Sequence, residues 1–194
     1  MRNQLCRWVC FASVSFPLTN TLVAQAVLEP PFGLHWGDSP EKLIAWASRQ
    51  SLNVTITLPG TQPALRILKI QPERGFLPET QASALEGRFV MGKLYQVTIH
   101  YFDASATADE MDIRFDNLRK QTVSNHGPLL PDQQQRVVVN QFVTRTLSFH
   151  REALKGLYLL LTFTSEEDLL RKSKEARFSL IYQNDNCMKA WMNQ

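Results

Sequence analysis

Cysteine is scarce in this chain of 194 residues: Cys6, Cys10 and Cys187 are all it has. A disulfide-framed mini-domain is therefore excluded, and stability has to come from an apolar core. Glycine is scarce too, with eight residues scattered singly or far apart. That dispersal leaves no phosphate-cradling loop, and Gly-x-Ser-x-Gly, Cys-x-x-Cys and His-Glu-x-x-His are also missing. Charge of one sign is lacking as well. With 21 Lys and Arg against 18 Asp and Glu, the net charge is only +3, which supplies no electrostatic drive toward nucleic acid. What remains is 44% apolar and 20% charged, an ordinary globular composition.

The first 26 residues hold no acid at all. Arg2 and Arg7 precede the apolar stretch Trp8 to Leu18, a polar step Thr19-Asn-Thr21 follows, and Ala24 and Ala26 occupy the two positions that signal peptidase reads. The expectation is an export signal cleaved after Ala26, with residues 27–194 forming a single periplasmic or secreted domain. The bland rival, a buried first helix or an anchor, is disfavoured because the run is about half the roughly 20 residues of a bilayer span and contains Pro17. Cys10 follows Val9 inside the run, and Cys6 lies too early, so lipid attachment is not expected either. Loss of the leader takes two of the 21 basic residues, leaving 19 against 18 acids, and leaves Cys187 alone. That thiol is expected as a small hydrophobe, with pairing between chains as the alternative.

Beyond Val27, Ser39-Pro40 reads as a cap and first helical residue, and the helix runs to about Gln50 with Leu43, Ile44 and Ala47 on one side. Val54, Ile56 and Leu58 alternate as a half-buried strand, and Leu65 to Ile70 is a second. Residues 71–82 read as a loop. Residues 85–90 and 93–102 form a hairpin around Met91-Gly92; in its second arm Tyr95, Val97, Ile99 and Tyr101 share the core face, and Gln96, Thr98 and His100 the wet one. Thr107-Ala-Asp-Glu110 is a capping box, Met111, Phe115, Leu118 and Thr122 make one stripe, and Gly127-Pro128 ends the helix. A polar loop then leads to 135–139 and 141–150, as two strands or one bulged strand. Leu157 to Thr164, apolar on both faces, is expected deep in the sheet. Ser165-Glu-Glu-Asp168 reads as the start of a short charged helix, and Ala176 to Tyr182 as the last strand before a polar tail.

The fold class is therefore α+β, an antiparallel sheet with helices on one face. Leu94-Tyr95 and Leu157-Tyr158 each open a strand, which hints at two helix-plus-meander units in tandem, about 33–103 and 104–185. The stretches Phe32-Gly-Leu-His-Trp-Gly37-Asp-Ser-Pro-Glu-Lys-Leu43 and Gly87-Arg-Phe-Val-Met-Gly-Lys-Leu-Tyr-Gln-Val97 carry a resemblance. The pattern is similar to small exported bacterial proteins, namely the outer-membrane assembly lipoproteins of the SmpA/OmlA type and the beta-lactamase-inhibitor-protein fold. Such a resemblance implies protein binding in the cell envelope without catalysis, although the lipid-anchoring cysteine of the assembly lipoproteins is missing here.

Candidate binding residues are few. His100 and His150 both fall on polar strand faces and would converge if those strands were neighbours, but no further metal ligand at fixed spacing accompanies them, and solvated histidines are the plainer reading. His126, beside Gly127, reads as a cation at a helix C-terminus. Trp36 in a turn-like segment would anchor a partner or close the core. Trp191 in the tail is the aromatic most expected to be exposed, with tucking back as the alternative. Asp109 and Asp112 suit a helix start rather than catalysis, and Arg171, Lys172, Lys174 and Arg177 complement the expected charged helix in preference to marking a contact with an anionic surface. No catalytic residue, metal or cofactor is assigned. The functional expectation is a monomeric or weakly dimeric scaffold or binding protein offering its polar sheet face to a protein of the envelope. The alternatives are a periplasmic enzyme with a site invisible in sequence and a secreted inhibitor or host-directed factor.

Overall fold

In the computed structural model, residues 28–60, 64–78 and 80–192 are described. The leader and its cleavage residues, Ala24 and Ala26, lie outside them. Element order is α1 (Pro40–Arg49), β1 (Asn53–Thr57), β2 (Leu65–Gln71), β3 (Ala84–Val90), β4 (Lys93–Tyr101), α2 (Ala108–His126), β5 (Leu130–Val139), β6 (Phe142–Leu154), β7 (Leu157–Asp168), β8 (Ser173–Asn184) and α3 (Asp185–Met192). The eight strands form one sheet in the order β1-β2-β3-β4-β8-β7-β6-β5, every neighbouring pair antiparallel.

That order is two helix-plus-meander units joined edge to edge. The fourth strands of the units, β4 and β8, pair antiparallel with Ile99 opposite Leu180. Pairing equivalent strands in opposite directions relates the units by a two-fold axis through the sheet, which keeps both helices on one face. Each unit thereby covers the free edge that the other would expose. Leu94-Tyr95 and Leu157-Tyr158, the sequence hint of duplication, open β4 and β7, which are not equivalent strands. The tandem organisation is present, but that particular match is not its signature.

Local chemistry sets most of the elements. Both halves of the capping box form at α2, with the Thr107 N–H donating to Glu110 Oε2 at 2.7 Å and the Glu110 N–H donating to Thr107 Oγ1 at 3.2 Å. Ser39 lies in the extended cap conformation before α1, yet its side chain bonds no helix N–H. Met91 (φ 50) and Gly92 (φ 73) both take positive φ, the two-residue turn that matches strand twist. The core lies between helices and sheet, where Leu43 and Ala47 of α1 and Met111 and Phe115 of α2 meet Leu68, Phe89, Val97, Leu161, Phe163 and Leu180. Gly87 lets α1 approach, since a Cβ there would stand 2.7 Å from Leu43 Cδ2.

Several expectations are corrected. Ser165 to Asp168 is no helix start: β7 continues through it, and a hairpin turn leads straight into β8. Alternating apolar residues on both strands and a full cross-strand ladder outweigh a cap-like Ser. The polar loop after α2 is largely strand β5, which sits at the sheet edge and so needs no apolar face. The polar tail is helix α3. Tyr95 leaves the core face because a bulge pairs Arg88 with Gln96 and Phe89 with Leu94, giving the core position to Leu94. Strand β1 is an edge whose Ile56 remains exposed, since α1 is too short to cover more than Val54. His126 is not a helix-end cation. Burial, with Arg151 nearby, lowers its pKa below the usual imidazole value, and its ring meets Tyr182 edge-on at 6.0 Å.

Candidate binding surface on the uncovered sheet face

Strand alternation sends one residue set under the helices and leaves the other set on a face that neither α1 nor α2 covers. Cross-strand register builds this face in rows. His100 pairs with Ser179, Ser179 with Thr162, and Thr162 with Ser148. The next row runs Glu86, Thr98, Ile181, Leu160, His150. A third runs Arg88, Gln96, Gln183, Tyr158, Glu152. Leu160 and Ile181 thus form a half-buried apolar centre with hydroxyls, amides and imidazoles around it.

Two polar clusters flank that centre. On the first unit, His100 Nδ1 lies 3.1 Å from Ser179 Oγ, and its Nε2 stands 3.9 Å from Glu86 Oε2. Arg88 Nε donates to Glu86 Oε1 at 2.8 Å. His100 and Arg88 together hold the Glu86 carboxyl down at about 2, against the cost of burying it. Tyr95, displaced by the bulge, lies beside Arg88, and burial raises its phenol. On the second unit, a register shift between Pro131 and Gln133 frees Asp132, whose Oδ2 accepts from Ser148 Oγ at 3.0 Å. His150 Nδ1 is 4.0 Å from Asp132 Oδ1 and has no hydrogen-bond partner. Serine here bonds the carboxylate and not the imidazole, so the trio lacks the Ser-to-His link that activates a nucleophile.

The expected site residues do not converge. His100 and His150 share the face, but β8 and β7 lie between their strands. Three strand spacings amount to roughly 14 Å, too far to share an ion. Among the described residues, no group of three or more His, Cys, Asp and Glu is placed to hold a metal ion. Trp36 closes the core: its Nε1–H donates to Leu28 O at 2.8 Å. Trp191 takes the alternative of tucking back: it folds over through α3, its ring lying near Gly37 and under Lys93 Nζ at 5.5 Å. Cys187 is half-buried at the start of the same helix, where burial raises its pKa. Nothing in the sequence marks Leu160 and Ile181 as surface groups: β7 is apolar on both faces, which points equally to depth in the sheet, and Ile181 lies in β8 between core residues Leu180 and Tyr182.

On the opposite face, a cleft of about 730 Å³ opens between α2 and the segments at Pro31-Phe32 and Thr80-Gln81, over Ile99, Tyr101, Phe178, Leu180 and Tyr182. Burial pushes Tyr101 and Tyr182 up to about 12, so both phenols stay protonated. Arg114 on its wall is engaged by Asp103 at 2.9 Å. Comparison with family models, curated proteins and solved structures gives no match.

Proposed function

We propose that this is an exported, non-enzymatic binding protein of the bacterial envelope, monomeric or weakly dimeric, which engages another protein through the uncovered sheet face. The observation that supports the reading is the composition of that face. An apolar centre, Leu160 and Ile181, is ringed by Tyr158, Gln96, Gln183, His100 and Thr162. Apolar centre and polar rim is the anatomy of a protein-binding patch. Rigidity supports it too, because strands hold these side chains with little ordering left to do on association. Residues 1–26 would serve as the export signal, with cleavage after Ala26. Among the described residues, no helix is long and apolar enough to cross a membrane.

A photo-crosslinking residue placed at Ile181 in cells, beside the same residue at Ile113 on the solvent side of α2, tests the reading. A discrete adduct with an envelope protein is expected from position 181 and not from 113. Equal labelling from both positions, or none from 181, rejects it.

A further inference from the structure

The second unit ends in two hairpin tips that stand side by side. Phe142 of β6 lies opposite Asp168 of β7, and the Leu169 N–H donates to Gln141 O at 2.9 Å, tying the tips into one surface. On it Val138, Val139, Phe142, Leu169 and Leu170 are all exposed, Leu170 at 76%. Apolar groups so placed at a projecting end cannot be explained as core. The outermost residues of the tips, 139–142 and 169–172, contain no acid and carry Arg171 and Lys172. The adjacent Asp168 is buried inside the turn, where it accepts from the Leu170 and Arg171 N–H groups at 3.0 and 3.1 Å. Glu167 stands opposite Lys174, with Glu166 and Glu175 one step farther back and Arg136 beyond them; Lys174 reaches Asp109 at 3.2 Å, and Arg171 Nε lies 3.7 Å from Asp168 Oδ2.

We propose that these paired tips are a membrane-contact site that inserts Leu169 and Leu170 into the interface of a bilayer carrying anionic phospholipid. Charge complementarity selects this occupant. Arginine and lysine beside exposed leucine can bury their stems while their heads reach phosphate, and anionic headgroups draw such cations toward the surface. Contact through the tips leaves the uncovered sheet face free, so the site is independent of the protein-binding reading. It would also orient the strands across the surface plane, presenting that face sideways.

The test is vesicle co-sedimentation of the purified protein, its N-terminus established by mass spectrometry so that no leader contributes. Vesicles of equal parts phosphatidylglycerol and phosphatidylcholine are compared with phosphatidylcholine alone. Binding to the first, lost in high salt, is expected. Leu169→Ser with Leu170→Ser should weaken it about tenfold or more, as should Arg171→Gln with Lys172→Gln. Unchanged circular dichroism identifies folded variants, and Leu170→Ser alone, at an exposed turn position, guards against misfolding of the pair. No binding to anionic vesicles, or binding indifferent to both variants, overturns the proposal. So does a self-associated protein that the leucine variant converts to monomer, since the tips would then serve a second copy.

Discussion

The two units share a topology and differ in proportion. In the first, α1 has 10 residues over strands of 5 to 9; in the second, α2 has 19 residues over strands of 10 to 13. Helices advance about 1.5 Å per residue and strands about 3.3 Å, so in both units the strands outrun the helix that covers them. The uncovered ends expose Ile56, Leu58 and Met91 in the first unit and Val139, Leu169 and Leu170 in the second. Both pairs of tips are tied, by Met91 N–H to Ala64 O and by Leu169 N–H to Gln141 O, so what distinguishes the second is the Arg171-Lys172 pair beside its leucines.

The largest effect should come from the shared core. Phe115 packs against Phe163 at 5.1 Å and Phe178 at 5.8 Å, and Phe115→Ala is expected to cost about 3–5 kcal/mol. Leu43→Ala in the first unit should cost about 2–5 kcal/mol. Because β4 and β8 join the units into one sheet, both variants should lower a single denaturation transition monitored by circular dichroism. Two separated transitions would show that the units are energetically independent.

A smaller effect separates the units by pH. The folded pKa of Glu86 is about 2, below its value in an unfolded chain. The unfolded state then binds more protons between those values, so the contribution of Glu86 is complete above about pH 4.5 and is lost as pH falls toward 2. Glu86→Gln should flatten that limb of the stability curve by about 2 kcal/mol. Asp103, also held at about 2, by Ser105 and Arg114, should keep the remainder of the limb in place. Urea titrations at pH 6 and pH 3 measure the difference; an unchanged slope in the variant would show that Glu86 is not its source.

The smallest expected difference lies in the caps. Thr107→Ala removes a formed capping bond and should cost about 1 kcal/mol, whereas Ser39→Ala, whose side chain bonds no helix N–H, should cost only about a few tenths. Equal losses in thermal melts would erase this contrast between the helices.

Elements with local chemical signals were legible in the sequence. Thr107 and Glu110, Met91-Gly92, Gly127-Pro128 and the Met111 to Thr122 stripe each carry their own physical instruction, and all four formed. Errors occurred where a local signal was ambiguous. Ser165-Glu-Glu-Asp168 serves equally as a helix start or as the outer end of a strand, and only pairing with Lys174 and Glu175 across the hairpin decides. Tyr95 alternates correctly with Val97 until a bulge, set by the fit of β3 on β4, turns it over.

Composition and pattern alone determined an apolar-cored α+β chain with no disulfide framework, two capped helices and period-two strands, because those properties follow from single residues and their near neighbours. Tertiary structure decided that β4 would pair with β8, that His100 and His150 would stand apart, that Leu160 and Ile181 would surface together, and that two hairpin tips would meet. Each of these is a relation between segments distant along the chain, fixed by sheet register and by how far a helix reaches, and neither quantity is written in any one stretch of residues.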